Sequence, residues 1–248
     1  KNYKEVFTEI YKNNYWGGIE SKSGSGSSLK STENLRLELP IIIKKLNIKS
    51  IIDIPCGDFF WLSKIITDLN VEYFGGDIVE EIIEKNNIFA NDKTEFRKID
   101  LIKDELPTGE LLICRDCLFH FSFNNIEKTF KNLKKSKFKY ILITNYDLEK
   151  TNIKNKDINT GSFNFLDFHL QPFNFKKNYD QEILDLDYPK TYVDKKMLIY
   201  SKENFIYNVA KKFITNNNLI QKISNDLDVP TKNLGIERYI YVENKRIP

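Results

Sequence analysis

Apolar positions along the chain follow two rhythms, short β-branched runs and longer stretches of helical spacing, and from Ser50 onward the two alternate. Ser50-Ile-Ile-Asp-Ile54 is a compact apolar run closed by a tight turn, the pattern of a strand covered on both faces of a parallel sheet. Phe60 to Leu69 is helical, and Val71-Glu-Tyr-Phe-Gly-Gly-Asp77 is a second strand. A helix over Val79 to Asn86 and a strand over Glu95 to Ile99 follow, then a fourth strand, Glu110-Leu-Leu-Ile-Cys-Arg115. Asn124 to Lys135 predicts a helix and Lys139-Tyr-Ile-Leu-Ile-Thr-Asn145 a fifth strand. Such alternation predicts an α/β fold with right-handed crossovers and helices on both faces of a mostly parallel sheet.

The flanks read differently. Tyr3 to Tyr15 predicts a short helix, and Leu35, Leu39, Ile42 and Leu46 recur at helical spacing, with Pro40 expected to kink or split that helix. Ser21 to Ser28, built of Ser and Gly around one Lys, reads as a mobile loop. Residues 147–180 are polar and aromatic, and a connection of that length predicts a lid or binding loop. Glu182 to Asp187 and Lys196 to Tyr200 are β-like and would close the sheet as an antiparallel edge. Ser201 then caps a helix with Phe205, Ile206, Val209, Ala210, Phe213 and Ile214 on one face, and Leu219 to Pro248 suggests a further helix and a strand at Arg238 to Val242. The domain reading is residues 1–48 as N-terminal helices and a Gly/Ser lid, 49–200 as the α/β core, and 201–248 as a C-terminal extension of the same domain.

Composition narrows the partners. A chain of 248 residues with 41% hydrophobic and 29% charged residues can bury one full core. Its formal net charge of +3 supplies no strong field for nucleic acid or an anionic membrane, so lysine pairs such as Lys134-Lys135 read as solvated helix faces. No stretch approaches the roughly 20 apolar residues of a membrane helix, and the first residues lack the apolar centre of a secretory signal, so the chain reads as cytoplasmic. Cys56, Cys114 and Cys117 form no disulfide framework, and Cys114-x-x-Cys117 has no second pair or nearby His to complete a zinc site; no metal is expected.

Chemistry concentrates where strands end. Ligands of open α/β sheets sit outside the carboxyl ends of the strands, at the switch in strand order. Asp53-Ile-Pro-Cys-Gly-Asp58 joins the first strand to its helix; Gly57 there would let backbone approach a ligand, and Asp53 would accept from an ammonium group. Asp77 ends the second strand with two acceptor oxygens suited to a ribose diol. Asp100-Leu101, after the third, would meet an adenine, and Arg115-Asp116 end the fourth beside the reacting group. A ligand with a nucleoside, an ammonium and a sulfonium, S-adenosylmethionine, suits four acids at four successive strand ends. Each acid alone is more often a cap or turn residue; the four together carry the reading.

The segments Asp53-Ile-Pro-Cys-Gly-Asp-Phe-Phe-Trp61, Tyr73-Phe-Gly-Gly-Asp-Ile78 and Cys114-Arg-Asp-Cys-Leu-Phe-His120 resemble class I S-adenosylmethionine-dependent methyltransferases. Within these they are most similar to a bacterial branch marked by a D-x-P-C-G-D-x-x-W turn. The resemblance spans Leu29 to Tyr146, with further likeness at Tyr15-Trp-Gly-Gly18, Ser23 to Ser28 and Leu170 to Phe175. It implies a Rossmann-like seven-stranded sheet, mostly parallel with an antiparallel edge strand, under an N-terminal helical lid. It implies cofactor contacts from Pro55, Asp58 and Ile78 as well, and places Trp61 near the methionine end, where helix packing is the plainer role. It further implies a small phosphorylated or sugar-linked acceptor, as in O-methyl phosphoramidate modification of capsules. One departure is informative: the family's glycine-rich turn is reduced here to Gly57, flanked by Pro55 and Phe59, which argues against a dinucleotide pyrophosphate more than against S-adenosylmethionine.

His120, just past the fourth strand, is the candidate base for a hydroxyl acceptor, or a hydrogen-bond donor to an anionic one that needs no base, or a histidine packed beside Phe119 and Phe121. His169 would reach the acceptor if the aromatic loop folds over the site. Arg115 would pair with Asp116 or present its fork to a phosphate. Tyr15, Trp16, Ser25 and Ser28 would close over the cofactor. An NAD-dependent oxidoreductase, an RNA methyltransferase and a catalytically silent binding subunit stand as rival readings. Absence of an Asn/Asp-Pro-Pro-Tyr/Phe motif places nucleic acid low among acceptors.

Overall fold

The computed structural model describes residues 2–185, 187 and 191–214. The five predicted parallel strands form, as β1 (Ser50–Asp53), β2 (Glu72–Asp77), β3 (Thr94–Lys98), β4 (Leu111–Cys114) and β5 (Tyr140–Tyr146). β6 (Gln181–Leu184) and β7 (Lys195–Ser201) complete a seven-stranded sheet of order β3-β2-β1-β4-β5-β7-β6. β1 pairs in parallel with β2 and β4, β2 with β3, and β4 with β5. The antiparallel pairings are confined to the β5/β7/β6 edge: β7 inserts beside β5 against the direction of both its neighbours, so β6 runs with the first five strands.

Alternation along the strands builds two cores. Ile52, Leu112, Ile141 and Ile143 pack with α5 (Phe123–Lys135), α6 (Lys202–Ile214) and α1 (Tyr3–Lys12), whereas Ile51, Leu111, Ile113 and Leu142 pack with α2 (Glu33–Lys45) and α3 (Ser63–Ile66). Each such aliphatic residue contributes about 1.5–3 kcal/mol through burial, and a one-residue slip of register would exchange the faces. α4 (Glu80–Asn86) sends Ile82 into the first core and Ile83 into the second.

Two expectations change. Pro40 does not split α2, which runs as one helix from Glu33 to Lys45; Leu35, Leu39, Ile42 and Ile43 are buried on both sides of the proline, and their burial outweighs its cost of about 3 kcal/mol. The helix expected over Phe60 to Leu69 shortens to α3 and a 3-10 turn at Thr67–Leu69, ended by Asn70 in the left-handed conformation. Elements expected beyond Leu219, including the strand at Arg238 to Val242, lie outside the described residues.

After β3 the chain returns past β1 to lay down β4, so strand order reverses between β1 and β4. Diverging loops open a crevice at the carboxyl ends of such strands, and the principal cavity lies there.

Candidate active site

One pocket takes in the carboxyl ends of β1 to β4, where an open α/β sheet ordinarily holds its ligand. Asp53, Asp77, Asp100 and Asp116 all line it, with Pro55, Gly57, Asp58, Trp61, Ile78 and Leu101. Burial pushes the Asp53 carboxyl up to about 7, against the opposing hydrogen bond from the Tyr73 hydroxyl at 2.8 Å. Burial likewise raises Asp77 to about 6, although the amides of Val79 (2.9 Å) and Gly57 (3.2 Å) donate to it. Those amides hold Asp77 across the first turn, which fixes the two acids in one frame. Asp100 receives the Tyr3 hydroxyl at 2.7 Å and the Ile102 amide at 3.0 Å, tying α1 to the end of β3.

The Ser/Gly segment is a strap fastened over this frame, contrary to the mobile loop expected. Ser21 and Ser23 hydroxyls and the Lys22 amide all donate to the Asp58 carboxylate, at 2.9, 3.2 and 2.9 Å, and the Asp58 amide donates back to Ser23 Oγ at 2.8 Å. Asp58 thus holds the strap with both oxygens while lining the pocket. Gly57 has φ +54°, and a Cβ there would lie 2.4 Å from Ser23 Oγ; the close approach this glycine permits is the strap's own. Ser23 and Ser27 line the pocket with Trp16, whereas the expected lid residues Tyr15, Ser25 and Ser28 do not. Tyr15 is 70% exposed, and Ser28 Oγ instead meets the Ser31 hydroxyl and amide ahead of α2.

Beyond β4 lies a buried charge network. Arg115 donates side-on to Asp185, Nε to Oδ2 at 2.9 Å and Nη2 to Oδ1 at 3.0 Å, while Nη2 also reaches the Gly26 carbonyl of the strap at 2.8 Å. Its Nη1 lies 3.1 Å from Asp116, and its guanidinium stands over the Trp61 ring at 5.5 Å. Lys195, 1% exposed, contacts Asp116 at 3.2 Å, Asp185 at 3.5 Å and Asp187 at 2.6 Å. Burial pushes the Asp116 carboxyl up, but Arg115 and Lys195 outweigh it and hold the group below the usual range. Asp116 has φ +48°, and its amide donates to Thr144 Oγ1 at 2.8 Å, which turns the carboxylate into the pocket mouth. Arg115 thus takes the first of the two arrangements expected of it, pairing with Asp116 while also lining the pocket.

The histidines separate. His120 lines the pocket, stacked on Trp16 with ring centres 5.2 Å apart, and its Nδ1 lies 2.8 Å from the Ser162 carbonyl. A carbonyl only accepts, so Nδ1 carries the proton and Nε2 the lone pair. Burial lowers its pKa, which keeps the ring neutral, although the Ser162 carbonyl and Asp116 act the other way. His169 does not join the pocket: its Nδ1 meets Asp167 at 3.0 Å and its Nε2 the Tyr200 hydroxyl at 3.3 Å. The proposed acceptor contact of His169 is corrected accordingly. The 147–180 segment is only partly a lid, since Leu166, Phe168, Phe173 and Phe175 enter the core around Phe130. Asp167 and Asn145 pin it from beneath, Asn145 donating to Asp167 at 3.2 Å and accepting the Phe168 amide at 2.7 Å.

No family profile and no curated protein matches the chain. Solved structures do. The methyltransferase domain of the bacterial protein CtHen1-C superposes with a TM-score of 0.52 at 14% identity, over 70% of this chain and 98% of that one. Magnesium protoporphyrin IX methyltransferase from Synechocystis PCC 6803, with bound SAH, gives 0.51 at 11% identity, over 71% and 85%. Human N-acetylserotonin methyltransferase in complex with SAM gives 0.52 at 12%, over 79% and 59%. The chain has a class I methyltransferase fold.

On that methyltransferase fold, several site residues escaped the sequence reading. Tyr73 supports Asp53 from the neighbouring strand, Ser21 and Ser23 hold the strap, and Asp185, Asp187 and Lys195 build the charge network. A signal existed for the last group: Asp185-Leu-Asp187 sets acids at a two-residue interval beside β6, where a strand's inner face is ordinarily apolar.

Proposed function

We propose that this protein is an S-adenosylmethionine-dependent methyltransferase that O-methylates a small-molecule or glycan-linked acceptor, of the kind modified in surface-polysaccharide assembly. The observation that carries the cofactor reading is the convergence of Asp53, Asp77, Asp100 and Asp116 on one pocket at the switch in strand order. Their chemistry fits a nucleoside that carries an ammonium and a sulfonium, and two of the neighbouring structures hold SAM or SAH on this fold. The reduced glycine turn, with Ser23 already packed on Gly57, leaves no approach there for a dinucleotide pyrophosphate. The resemblance at the D-x-P-C-G-D-x-x-W turn supports the finer reading of the acceptor.

When bound, the cofactor supplies a methyl group on a cationic sulfur. Asp53 would hold its ammonium, Asp77 its ribose hydroxyls, and Asp100 with Leu101 its adenine. Trp16 and the strap exclude water from the pocket, and placement of the acceptor beside the reactive carbon supplies much of the acceleration. His120 Nε2 is the group able to take a proton there.

Isothermal calorimetry tests this reading. S-adenosylmethionine and S-adenosylhomocysteine are expected to bind the wild-type chain, and Asp77→Ala is expected to weaken both by roughly 1–3 kcal/mol through unpaired ribose hydroxyls. Unchanged affinity in Asp77→Ala would remove that residue's role. Absence of binding to the wild type, or a saturable NADH titration, would remove the cofactor reading itself.

A further inference from the structure

We infer that the acceptor presents an uncharged O–H group, an alcohol or phenol hydroxyl, and that the site excludes the anionic phosphate or phosphoramidate oxygen. The inference rests on the methyltransferase reading and narrows its substrate class.

Two independent features of the acceptor side carry it. The first is charge. Among the described residues, Arg115 is the single Lys or Arg that lines the pocket, and five aspartates line it as well. The Arg115 charge is already matched: Asp185 takes it side-on, Gly26 takes the second Nη2 proton, and Asp116 faces Nη1. Lys195, the next cation inward, is enclosed by Asp116, Asp185 and Asp187. Three carboxylates against two cations leave no positive charge over for an incoming anion. A phosphate beside Asp116 would meet a like charge in a buried setting, where such repulsion is weakly screened.

The second feature is the direction of the hydrogen bond at His120. The Ser162 carbonyl fixes the proton on Nδ1, so the nitrogen left for the acceptor is an acceptor itself. A neutral imidazole in this tautomer suits an O–H and has nothing to donate to an oxyanion. The step balances without a further reactant. As the acceptor oxygen takes the methyl group its O–H bond breaks and Nε2 takes the proton; the electron pair of the broken carbon–sulfur bond stays on sulfur, which becomes neutral. The resulting imidazolium, close to Asp116, then returns its proton to water.

The test is nitrogen NMR of the wild-type chain labelled at histidine, with S-adenosylhomocysteine present. His120 and His169 are its two histidines, and the His120 signal is the one lost in His120→Gln. At neutral pH Nδ1 is expected to resonate as a protonated nitrogen and Nε2 as an unprotonated one. Titration with inorganic phosphate or methyl phosphate is expected to leave both signals, and the pH at which they titrate, where sodium chloride of equal ionic strength leaves them. A proton on Nε2, or a saturable phosphate-dependent shift with a raised titration point, would overturn the inference. A failure of S-adenosylhomocysteine to bind would instead strike the cofactor reading, and the phosphate titration separates the two.

Discussion

The two halves of the pocket are built on different principles. On the β1–β2–β3 side, each functional acid sits within a short run that also makes the strand and turn holding it, and its partners are neutral amides and hydroxyls, some of them distant, as Tyr3 is from Asp100. On the β4–β7 side, Arg115 is completed by Asp185, seventy residues away, and by the Gly26 carbonyl, eighty-nine residues away. In the first half local sequence sets the acids at the strand ends, and no buried cation among the described residues pairs with them. The second exists only once the sheet has closed, because Lys195 reaches Asp116 only when β7 has inserted beside β5.

The largest expected effect breaks the comparison at its distal end. Asp185→Ala removes the side-on partner of a fully buried guanidinium and one of three carboxylates around Lys195. Removing one partner of a buried pair typically costs 3–5 kcal/mol, because the other charge is left uncompensated. Urea unfolding of Asp185→Ala is expected to show a loss of that size with an unchanged slope. A loss below about 1 kcal/mol, the range of an exposed ion pair, would show that the network is not the keystone of this half. The double variant Arg115→Met/Asp185→Leu is expected to lose less than Asp185→Ala alone, since it leaves no orphaned charge there.

A smaller effect sharpens the contrast, since Asp53 and Asp77 shift in the opposite sense to Asp116. Asp53 and Asp77 are raised by burial to about 7 and about 6, whereas Asp116 is held low by its cations. An acid raised on folding binds more protons folded than unfolded, so its contribution favours the ligand-free fold at low pH and is lost as pH rises through about 6 and then about 7. A cationic ligand reverses the preference by favouring the carboxylates. Affinity for S-adenosylmethionine is therefore expected to rise by up to tenfold per pH unit, about 1.4 kcal/mol, as pH rises toward 7, and to level off above it. Calorimetry in buffers of different ionisation heat should report proton release on binding below pH 7. Affinity that stays flat from about pH 5.5 to 8 would show that the strand-end acids do not meet the cation.

What the sequence disclosed follows the same divide. The strand-and-helix alternation and the acids at Asp53, Asp77, Asp100 and Asp116 were readable because each acid stands at the end of a short apolar run, whatever partners later reach it. Asp58 was readable as important but not in its role, since its partners Ser21 and Ser23 sit in a Gly/Ser run whose composition resembles a linker. His169 misled for the opposite reason: an aromatic loop suggested a lid, while Asp167 and Tyr200 had already claimed both ring nitrogens. Asp185 was not readable as a partner of Arg115 because it comes from the far edge of the sheet.

The strap joins the two halves, since Asp58 fastens it at one end and Arg115 holds Gly26 at the other. Asp58→Ala is the smallest perturbation and the one that tells which half governs closure. It removes a carboxylate acceptor from two serine hydroxyls and one amide at the partly exposed edge of the pocket, where water replaces much of the roughly 1.5–3 kcal/mol that a hydrogen bond to a charged group carries. Global stability should fall by about 1 kcal/mol, and S-adenosylhomocysteine affinity should fall by a similar amount as the strap opens over Gly57. Amide exchange is expected to accelerate at residues 21–24 and to remain slow at 26–28, which Arg115 still pins. Acceleration spread evenly from 21 to 28 would mean that the local fastening at Asp58, not the long-range clamp at Arg115, closes the site.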